Sequence, residues 1–141
     1  MQPAVSLITL GVTDFNRSLQ FYRDGLGWPT TAKENDPVAF FQLNNIILGL
    51  WSREELAKDA RIPDTKPGFG GMSIAHNVGS EKEVDDVLAT AKRAGAKILK
   101  SAEKVFWGGY SGYFADPDGH LWEVAYNPFW KLDPQGKATL A

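Results

Sequence analysis

The stretch Tyr113-Phe-Ala-Asp-Pro-Asp-Gly-His-Leu-Trp-Glu-Val-Ala-Tyr126 predicts two strands joined by a tight turn. In the turn Asp116–Gly119, the leading Asp can accept bonds from the turn's own N–H groups, Pro has its φ preset, and Gly tolerates a positive φ. The strand after the turn carries one carboxylate, Glu123, between Trp122 and Val124. Because an unpaired buried charge is costly, Glu123 must face water, a partner or a cavity.

Composition predicts a folded domain that spans residues 1–141, since 43% of the residues are hydrophobic and 12% aromatic. The net charge is -2 and no basic stretch occurs, so neither nucleic acid nor a membrane surface is an expected partner. The absence of cysteine excludes a thiol nucleophile and a cysteine zinc site. The N-terminus lacks a signal-peptide pattern, and the apolar run Ile46–Trp51 is too short to span a bilayer, so a cytoplasmic protein is expected.

The first half predicts one strand, one helix and three further strands. Asp14 is expected to cap a helix that runs to Arg23, with an apolar stripe at helical spacing. The strands are expected at Leu7–Val12, Thr30–Lys33, Val38–Leu43 and Ile46–Trp51, the last two joined as a hairpin by Asn44-Asn45.

The second half repeats this order. Ser52–Glu55 is a capping-box pattern for a short helix, and the polar, Pro- and Gly-rich residues that follow predict a linker at 52–71. Ser80 is expected to cap a helix between the strands Met72–Val78 and Lys97–Lys100, with Val105–Trp107 extending or following the latter strand. The opening hairpin follows, and in the tail, 128–141, Phe129, Trp130 and Leu132 are expected to dock and residues from Gln135 to fray.

The repeated order indicates an internal duplication, with modules at 5–51 and 72–127. One helix per module covers one face of each sheet and leaves the other face bare. The predicted fold class is α+β, two tandem βαβββ modules whose curled sheets enclose a cleft.

This pattern resembles the vicinal oxygen chelate superfamily, which includes glyoxalase I, bleomycin-resistance proteins, extradiol dioxygenases and fosfomycin-resistance enzymes. The residues that carry the resemblance are Leu10–Asp14, Ser18–Tyr22 and Gly25–Trp28 in the first half, and Phe114–Glu123 in the second. The resemblance covers roughly residues 5 to 127 and implies the glyoxalase/bleomycin-resistance/dioxygenase fold and a homodimer.

The resemblance also implies where a metal would be held. The family's four ligand positions, one from the first and one from the last strand of each module, correspond here to Leu7, Gly49, Ser73 and Glu123. A divalent ion needs several nitrogen or oxygen donors, whereas Leu and Gly side chains donate nothing and Ser is a poor ligand. No cofactor is therefore predicted, a divalent metal is disfavoured, and Glu123 would bind one only in a non-standard site.

Glu123 is the candidate catalytic residue, because a carboxylate among apolar neighbours suits a general acid or base, or pairs with a cationic ligand. The alternative is a hydrogen-bonded structural acid. His76 and His120 are expected to be packed or rim histidines on the helix side of their strands, since neither has a second ligand at metal spacing. Asp116 and Asp118 are turn residues with no catalytic role.

The run Trp107–Tyr113 alternates aromatic residues with glycines, which predicts rings close to a ligand. Trp107, Tyr110 and Tyr113 are expected to form a stacking wall with Trp51, with Ser73 as a second polar anchor. The alternative for each ring alone is core packing.

Three functions follow from these observations. The first is a metal-independent protein that binds a small organic molecule in an aromatic-lined cleft. The second is a lyase, isomerase or dioxygenase that uses Glu123 as general base or as one ligand of a divalent metal. The third is a scaffold whose cleft is filled by its own side chains. The sequence does not encode the identity of the ligand.

Overall fold

The computed structural model describes residues 1, 3, 5–65, 68–70 and 72–140. Residues 2, 4, 66, 67, 71 and 141, which include parts of the predicted linker and tail, lie outside the described residues. The chain forms two compact units, Met1–Gly68 and Phe69–Ala141, each with a β-sheet and at least one helix. The predicted α+β class is confirmed.

The first unit is built on a three-stranded sheet of β1 (Leu7–Val12), β2 (Val38–Gln42) and β3 (Ile47–Ser52), in the order β1-β3-β2. β1 is parallel and β2 antiparallel to β3. Alternation along the strands gives one sheet face a set of buried apolar side chains: Leu10, Val12, Phe41, Leu48 and Leu50. The backbone N–H of Leu43 donates to the carbonyl of Ile46 at 2.9 Å, which closes the predicted Asn44-Asn45 hairpin.

The first helix covers this buried face. α1 (Phe15–Leu19) begins after Asp14, whose carboxylate accepts a bond from the Arg17 N–H at 3.1 Å, so the predicted cap is confirmed. A π-helical segment, Gln20–Gly25, continues it. The wider turn buries Phe21 and Tyr22 together, and the Tyr22 ring packs 6.0 Å from the ring of Phe41.

The strand predicted at Thr30–Lys33 is absent. Pro29 has no N–H to donate, and the Thr30 hydroxyl donates to the carbonyl of Phe40 at 2.7 Å and accepts from the Ala32 N–H at 3.2 Å. These side-chain bonds replace the backbone ladder that a regular strand would make. The segment therefore lies beside β2 without joining the sheet.

A second short helix follows β3 inside the predicted linker. α2 (Arg53–Asp59) begins after Ser52, whose hydroxyl accepts a bond from the Glu55 N–H at 3.3 Å. The capping pattern at Ser52–Glu55 therefore predicted this helix correctly.

The second unit has a four-stranded sheet in the order β4-β7-β6-β5. Its elements are β4 (Ile74–Asn77), α3 (Glu81–Arg93), β5 (Lys97–Lys104), β6 (Tyr110–Ala115) and β7 (Leu121–Tyr126). α3 begins after Ser80, which accepts from the Glu83 N–H at 3.2 Å, while the Glu83 carboxylate accepts from the Gly79 N–H at 2.7 Å. The strand order and the capped helix agree with the sequence prediction for this half.

β5 is longer than Lys97–Lys100 and has two irregularities in its pairing with β6. Gly112 on β6 makes this close packing possible. A Cβ at Gly112 would lie 2.7 Å from Leu88 Cδ1 of α3 and 2.8 Å from the carbonyl oxygen of Lys100. The same geometry shows that position 112 faces α3.

The tail differs from the prediction. β8 (Lys131–Leu132) pairs with β9 (Ala138–Thr139), so the chain does not fray from Gln135. Phe129 lies against Gly108 but is 63% exposed, and Trp130 is 41% exposed, so docking is incomplete. Among the residues the structure describes, no helix is long and apolar enough to cross a membrane.

Candidate functional site

The turn that precedes β7 has the geometry predicted for Asp-Pro-Asp-Gly. The Gly119 N–H donates to the Asp116 carbonyl at 3.0 Å, and Gly119 has a φ of 87°. The Asp116 carboxylate accepts from the N–H groups of Asp118, at 3.0 Å, and His120, at 2.8 Å. Asp116 and Asp118 therefore serve the turn, as predicted.

The structure adds a side-chain pair that the sequence analysis missed. The second carboxylate oxygen of Asp116 lies 2.7 Å from Nδ1 of His120. The Asp116 side chain is fully buried, whereas 21% of the His120 side chain is exposed. The signal in the sequence was an acid and a histidine four positions apart across a tight turn. The pair fixes the start of β7, three residues before Glu123.

Glu123 lies in the middle of the sheet, on the face opposite α3. β7 pairs with β4 on one side and β6 on the other, which places Glu123 beside Ala75 and Tyr113. Because Gly112 faces α3, Tyr113 and its partner Glu123 face the other way. We call this surface the helix-free face of the second sheet. Both residues are partly exposed.

Tyr113 is the interaction partner of Glu123. Partial burial, together with the negative charge of Glu123 and a hydrogen bond to it, raises the pKa of the Tyr113 phenol above its usual value. The phenol is protonated at neutral pH and can therefore donate to the carboxylate. Neighbouring positions on the same face carry small buried side chains: Ser111, Ala115 and Ala125. The phenol of Tyr113 and the carboxylate of Glu123 are thus surrounded on this face by shorter side chains.

A lysine of β5, Lys100, lies next to Tyr113 in the sheet. Lys100 is paired with Tyr113, and Glu103 with Ser111, across the irregular β5–β6 ladder. The Lys100 ammonium lies 3.2 Å from the Glu103 carboxylate, and 37% of the Lys100 side chain is exposed. We call Lys100, Tyr113 and Glu123 the polar row. Lys100 was not among the predicted site residues, because simple alternation does not reveal two irregularities in one strand.

The other three predicted ligand-binding residues of this unit are Tyr110, Trp107 and Ser73. None of them is paired with Glu123 in the strand ladders. Tyr110 is on the α3 face, where its hydroxyl donates to Asp85 at 2.9 Å, and this hydrogen bond raises the pKa of Tyr110. Trp107 lies in the β5–β6 connection, with its indole against Gly109. Ser73 is exposed and directly precedes β4. Of the aromatic candidates in this unit, the structure brings Tyr113 to Glu123.

His76 is on β4, paired with Val124 of the α3 face, as the alternation predicted. Desolvation by the surrounding protein lowers the pKa of its imidazole, although the residue is exposed. A neutral imidazole is favoured there.

The remaining candidate, Trp51, lies in the first unit on the sheet face opposite α1. This face also holds Leu7 and Gly49, two of the positions at which the family resemblance would place metal ligands. A Cβ at Gly49 would lie 3.3 Å from the Phe40 ring and 3.4 Å from Leu7 Cδ1. Leu7 is 43% and Phe40 51% exposed. The surroundings of Gly49 are therefore apolar apart from the Thr9 hydroxyl, which would lie 3.4 Å from that Cβ. The two positions that the family resemblance implies for ligands are a leucine and a glycine, whose side chains carry no donor.

The residue types present do not fit a divalent ion bound in the family's pattern. Leu7 and Gly49 have no donor atom in the side chain, and Ser73 offers a neutral hydroxyl. Over residues 1, 3, 5–65, 68–70 and 72–140, no three or more His, Cys, Asp or Glu side chains are grouped so that they could hold a metal.

Comparison with known proteins identifies the family. The model of the Glyoxalase/Bleomycin resistance protein/Dioxygenase superfamily matches residues 4–124. The chain belongs to this superfamily. The resemblance inferred from the two half-sequences is thus confirmed.

Among curated relatives, the metallothiol transferase FosB of Staphylococcus epidermidis is 28% identical over 124 residues, which cover 88% of this chain and 84% of FosB. The uncharacterized protein YraH of Bacillus subtilis is 31% identical over 122 residues, 83% of this chain and 93% of YraH. Among solved structures, a glyoxalase-related enzyme from Fulvimarina pelagi has a TM-score of 0.89 and 38% identity, and covers 99% of both chains. A lactoylglutathione lyase from Agrobacterium tumefaciens shares the fold, with a TM-score of 0.69 at 22% identity over 94% of this chain and 100% of the lyase.

Proposed function

We propose that this superfamily member binds a small organic molecule with a cationic group, without a metal. Glu123 is the anionic anchor and Tyr113 is the adjacent hydrogen-bond donor. The observation that supports the proposal is the Glu123–Tyr113 pair. Both side chains are partly exposed, and they lie among small side chains in the middle of the helix-free face.

The chemistry of the pair favours an ammonium or a similar cation. A carboxylate forms short, strong hydrogen bonds with cationic donors, and the phenol ring offers a face on which a cation or an aromatic ring can rest. A tyrosine is neutral at pH 7 and the pKa of Tyr113 is raised further, so the phenol adds a hydrogen-bond donor without adding charge.

The proposal includes no metal because the side chains at the implied ligand positions supply too few donor atoms. The name of the FosB relatives describes a metallothiol transferase. The same activity here would need ligands at Leu7 and Ser73, whose side chains do not supply them. The 28% identity therefore supports the fold and family more strongly than it supports that reaction.

The retained carboxylate favours one alternative, a lyase, isomerase or dioxygenase reaction in which Glu123 acts as general base or as one metal ligand. A base must lie within hydrogen-bonding reach of the proton it removes, and a partly exposed Glu123 can meet that condition once substrate is bound. Catalytic turnover that depends on Glu123 would favour this alternative over binding alone.

The test is an NMR titration of the protein with benzylamine and, as a neutral match, benzyl alcohol. Benzylamine is expected to bind, to perturb β6 and β7, and to bind at least about tenfold more weakly to Glu123→Gln, the size expected for a charge-assisted hydrogen bond. Glu81→Gln, on the exposed side of α3, is the matched control and should leave binding unchanged. Equal affinity of the wild type and Glu123→Gln for benzylamine would refute the role of Glu123.

Metal independence has a separate test. Elemental analysis of protein purified without chelator should find no stoichiometric divalent metal. A metal that resists dialysis and is lost from Glu123→Gln would favour the enzymatic alternative. The homodimer implied by the resemblance stays a prediction, which light scattering of the purified protein checks.

A further inference from the structure

We propose that Lys100 forms a second, anionic-group subsite of the polar row, so that the site prefers ligands carrying both a cation and a carboxylate. The inference rests on the proposed function, because Glu123 supplies the cation subsite. It adds a ligand class and a residue that were not apparent from the sequence.

The order of the strands places the two charges on either side of one phenol. Glu123 of β7 pairs with Tyr113 of β6, and Tyr113 pairs with Lys100 of β5. Adjacent strands lie about 4.8 Å apart, so the backbones that carry the two charges are separated by roughly 10 Å. A ligand lying across Tyr113 would reach both with charged groups about one benzene ring apart.

Lys100 is available to such a ligand because it is paired only with an exposed carboxylate, that of Glu103. Its ammonium pairs with Glu103 at 3.2 Å, and 63% of the Glu103 side chain is exposed. An exposed ion pair contributes little to stability because water and salt screen it. A ligand carboxylate can therefore replace Glu103 as the partner of Lys100 at small cost.

The replacement makes Glu103 a competitor of the ligand. Removing its charge should leave Lys100 free and strengthen the binding of a ligand that carries a carboxylate. Removing the charge of Lys100 should have the opposite effect. These two substitutions of neighbouring surface residues are expected to change the affinity in opposite directions, which a general loss of structure would not do.

The experiment compares 4-(aminomethyl)benzoate with benzylamine, which lacks the carboxylate, by NMR titration into the full chain. The wild type should bind 4-(aminomethyl)benzoate about two- to fivefold more tightly than benzylamine, as expected for one exposed ion pair. Lys100→Met should abolish this preference, and Glu103→Gln should increase it. Lys97→Met removes the same charge from the same strand, where Lys97 pairs with Ala115, and should preserve the preference.

The outcomes separate this inference from the proposed function. Equal affinities for the two probes in the wild type, or a preference that survives in Lys100→Met, would overturn the Lys100 subsite alone, provided that Glu123→Gln still weakens benzylamine. Unchanged benzylamine binding in Glu123→Gln would overturn the proposed function and this inference with it. Thermal melting of each variant verifies that the fold is retained.

Discussion

The two sheets are alike on the face that is covered by α1 or α3 and differ on the opposite face. Each buries apolar side chains beneath its helix, exemplified by Phe41 in the first sheet and Val124 in the second. On the opposite face, the first sheet presents Leu7 and Phe40 around Gly49, whereas the second presents the polar row.

The difference separates the sheet with charged side chains on its face opposite the helix from the sheet without them. In the first half, the ligand positions implied by the family resemblance have become a leucine and a glycine. In the second half, Glu123 stands at the implied position and is paired with Tyr113 across the β6–β7 ladder. A carboxylate beside a phenol can bind a cation, whereas the first sheet offers only the neutral hydroxyl of Thr9 beside Leu7 and Gly49. The polar chemistry is therefore concentrated in the second sheet.

The strongest test of this comparison uses one mid-strand glycine from each sheet. Gly112→Ala should lower the free energy of unfolding by about 2–4 kcal/mol, because the added methyl would overlap backbone atoms that cannot yield easily. Its Cβ would lie 2.8 Å from the Lys100 carbonyl oxygen. Chemical denaturation measures the change.

Gly49→Ala is the matched variant in the first sheet. Its Cβ would approach only side-chain atoms, at 3.3 Å or more, and the nearest belongs to the half-exposed ring of Phe40. We expect a loss below about 1 kcal/mol. Equal losses for the two variants would show that β5 and α3 do not pack on Gly112 as described.

The hairpins of the two halves provide a second test. Asp116→Ala removes a buried carboxylate that holds two N–H groups and His120, and should cost about 1–3 kcal/mol of unfolding free energy. Asn45→Ala, in the exposed hairpin loop of the first sheet, should change stability by less than about 0.5 kcal/mol. If thermal melting showed similar losses of stability for both variants, the hydrogen bonds of Asp116 would not stabilise the second hairpin as described.

The smallest expected effect is a shift in the titration of Tyr113. A raised pKa in the folded state means that its interactions stabilise the protein fully below the phenol's usual pKa of about 10 and are lost as the pH rises through the folded-state value. Glu123→Gln should lower the pKa of Tyr113, because it removes the negative charge beside the phenol. The phenolate absorbance of the variant and of the wild type, followed with pH, measures the shift.

Two further variants assign the signal among the four tyrosines. Tyr113→Phe should remove the component that responds to Glu123→Gln. Tyr110→Phe should leave that component in place, because the pKa of Tyr110 is raised by Asp85 on the other face of the sheet. A shift that persists in Tyr113→Phe would mean that Glu123 acts on a different phenol.

Much of the local structure was predictable because short-range chemistry fixes it. The caps at Asp14, Ser52 and Ser80 each accept a hydrogen bond from the N–H three residues later. A short segment of sequence is therefore sufficient to predict where each helix begins. The tight turn at Asp116–Gly119 is equally local. The strand predicted at Thr30–Lys33 was wrong because one threonine hydroxyl bonds to a backbone carbonyl ten residues away in sequence, which no local pattern reveals.

The site was predictable only in part for the same reason. Glu123 and Tyr113 were each predicted as site residues, since an acid in an apolar strand and an aromatic-glycine run are visible in the sequence. Their pairing depends on the β6–β7 register. Lys100 was missed because the β5 irregularities decide which of its residues stand beside Tyr113.

The sequence alone determined the superfamily, the capped helices and the Asp-Pro-Asp-Gly hairpin, because residue identity and near-neighbour bonding suffice for each. Tertiary structure decided that Asp116 is bonded to His120, that Tyr110 faces Asp85, and that Lys100, Tyr113 and Glu123 form one row. These relations depend on strand register and on how a helix packs over a glycine, and both are set by contacts between residues distant in the chain.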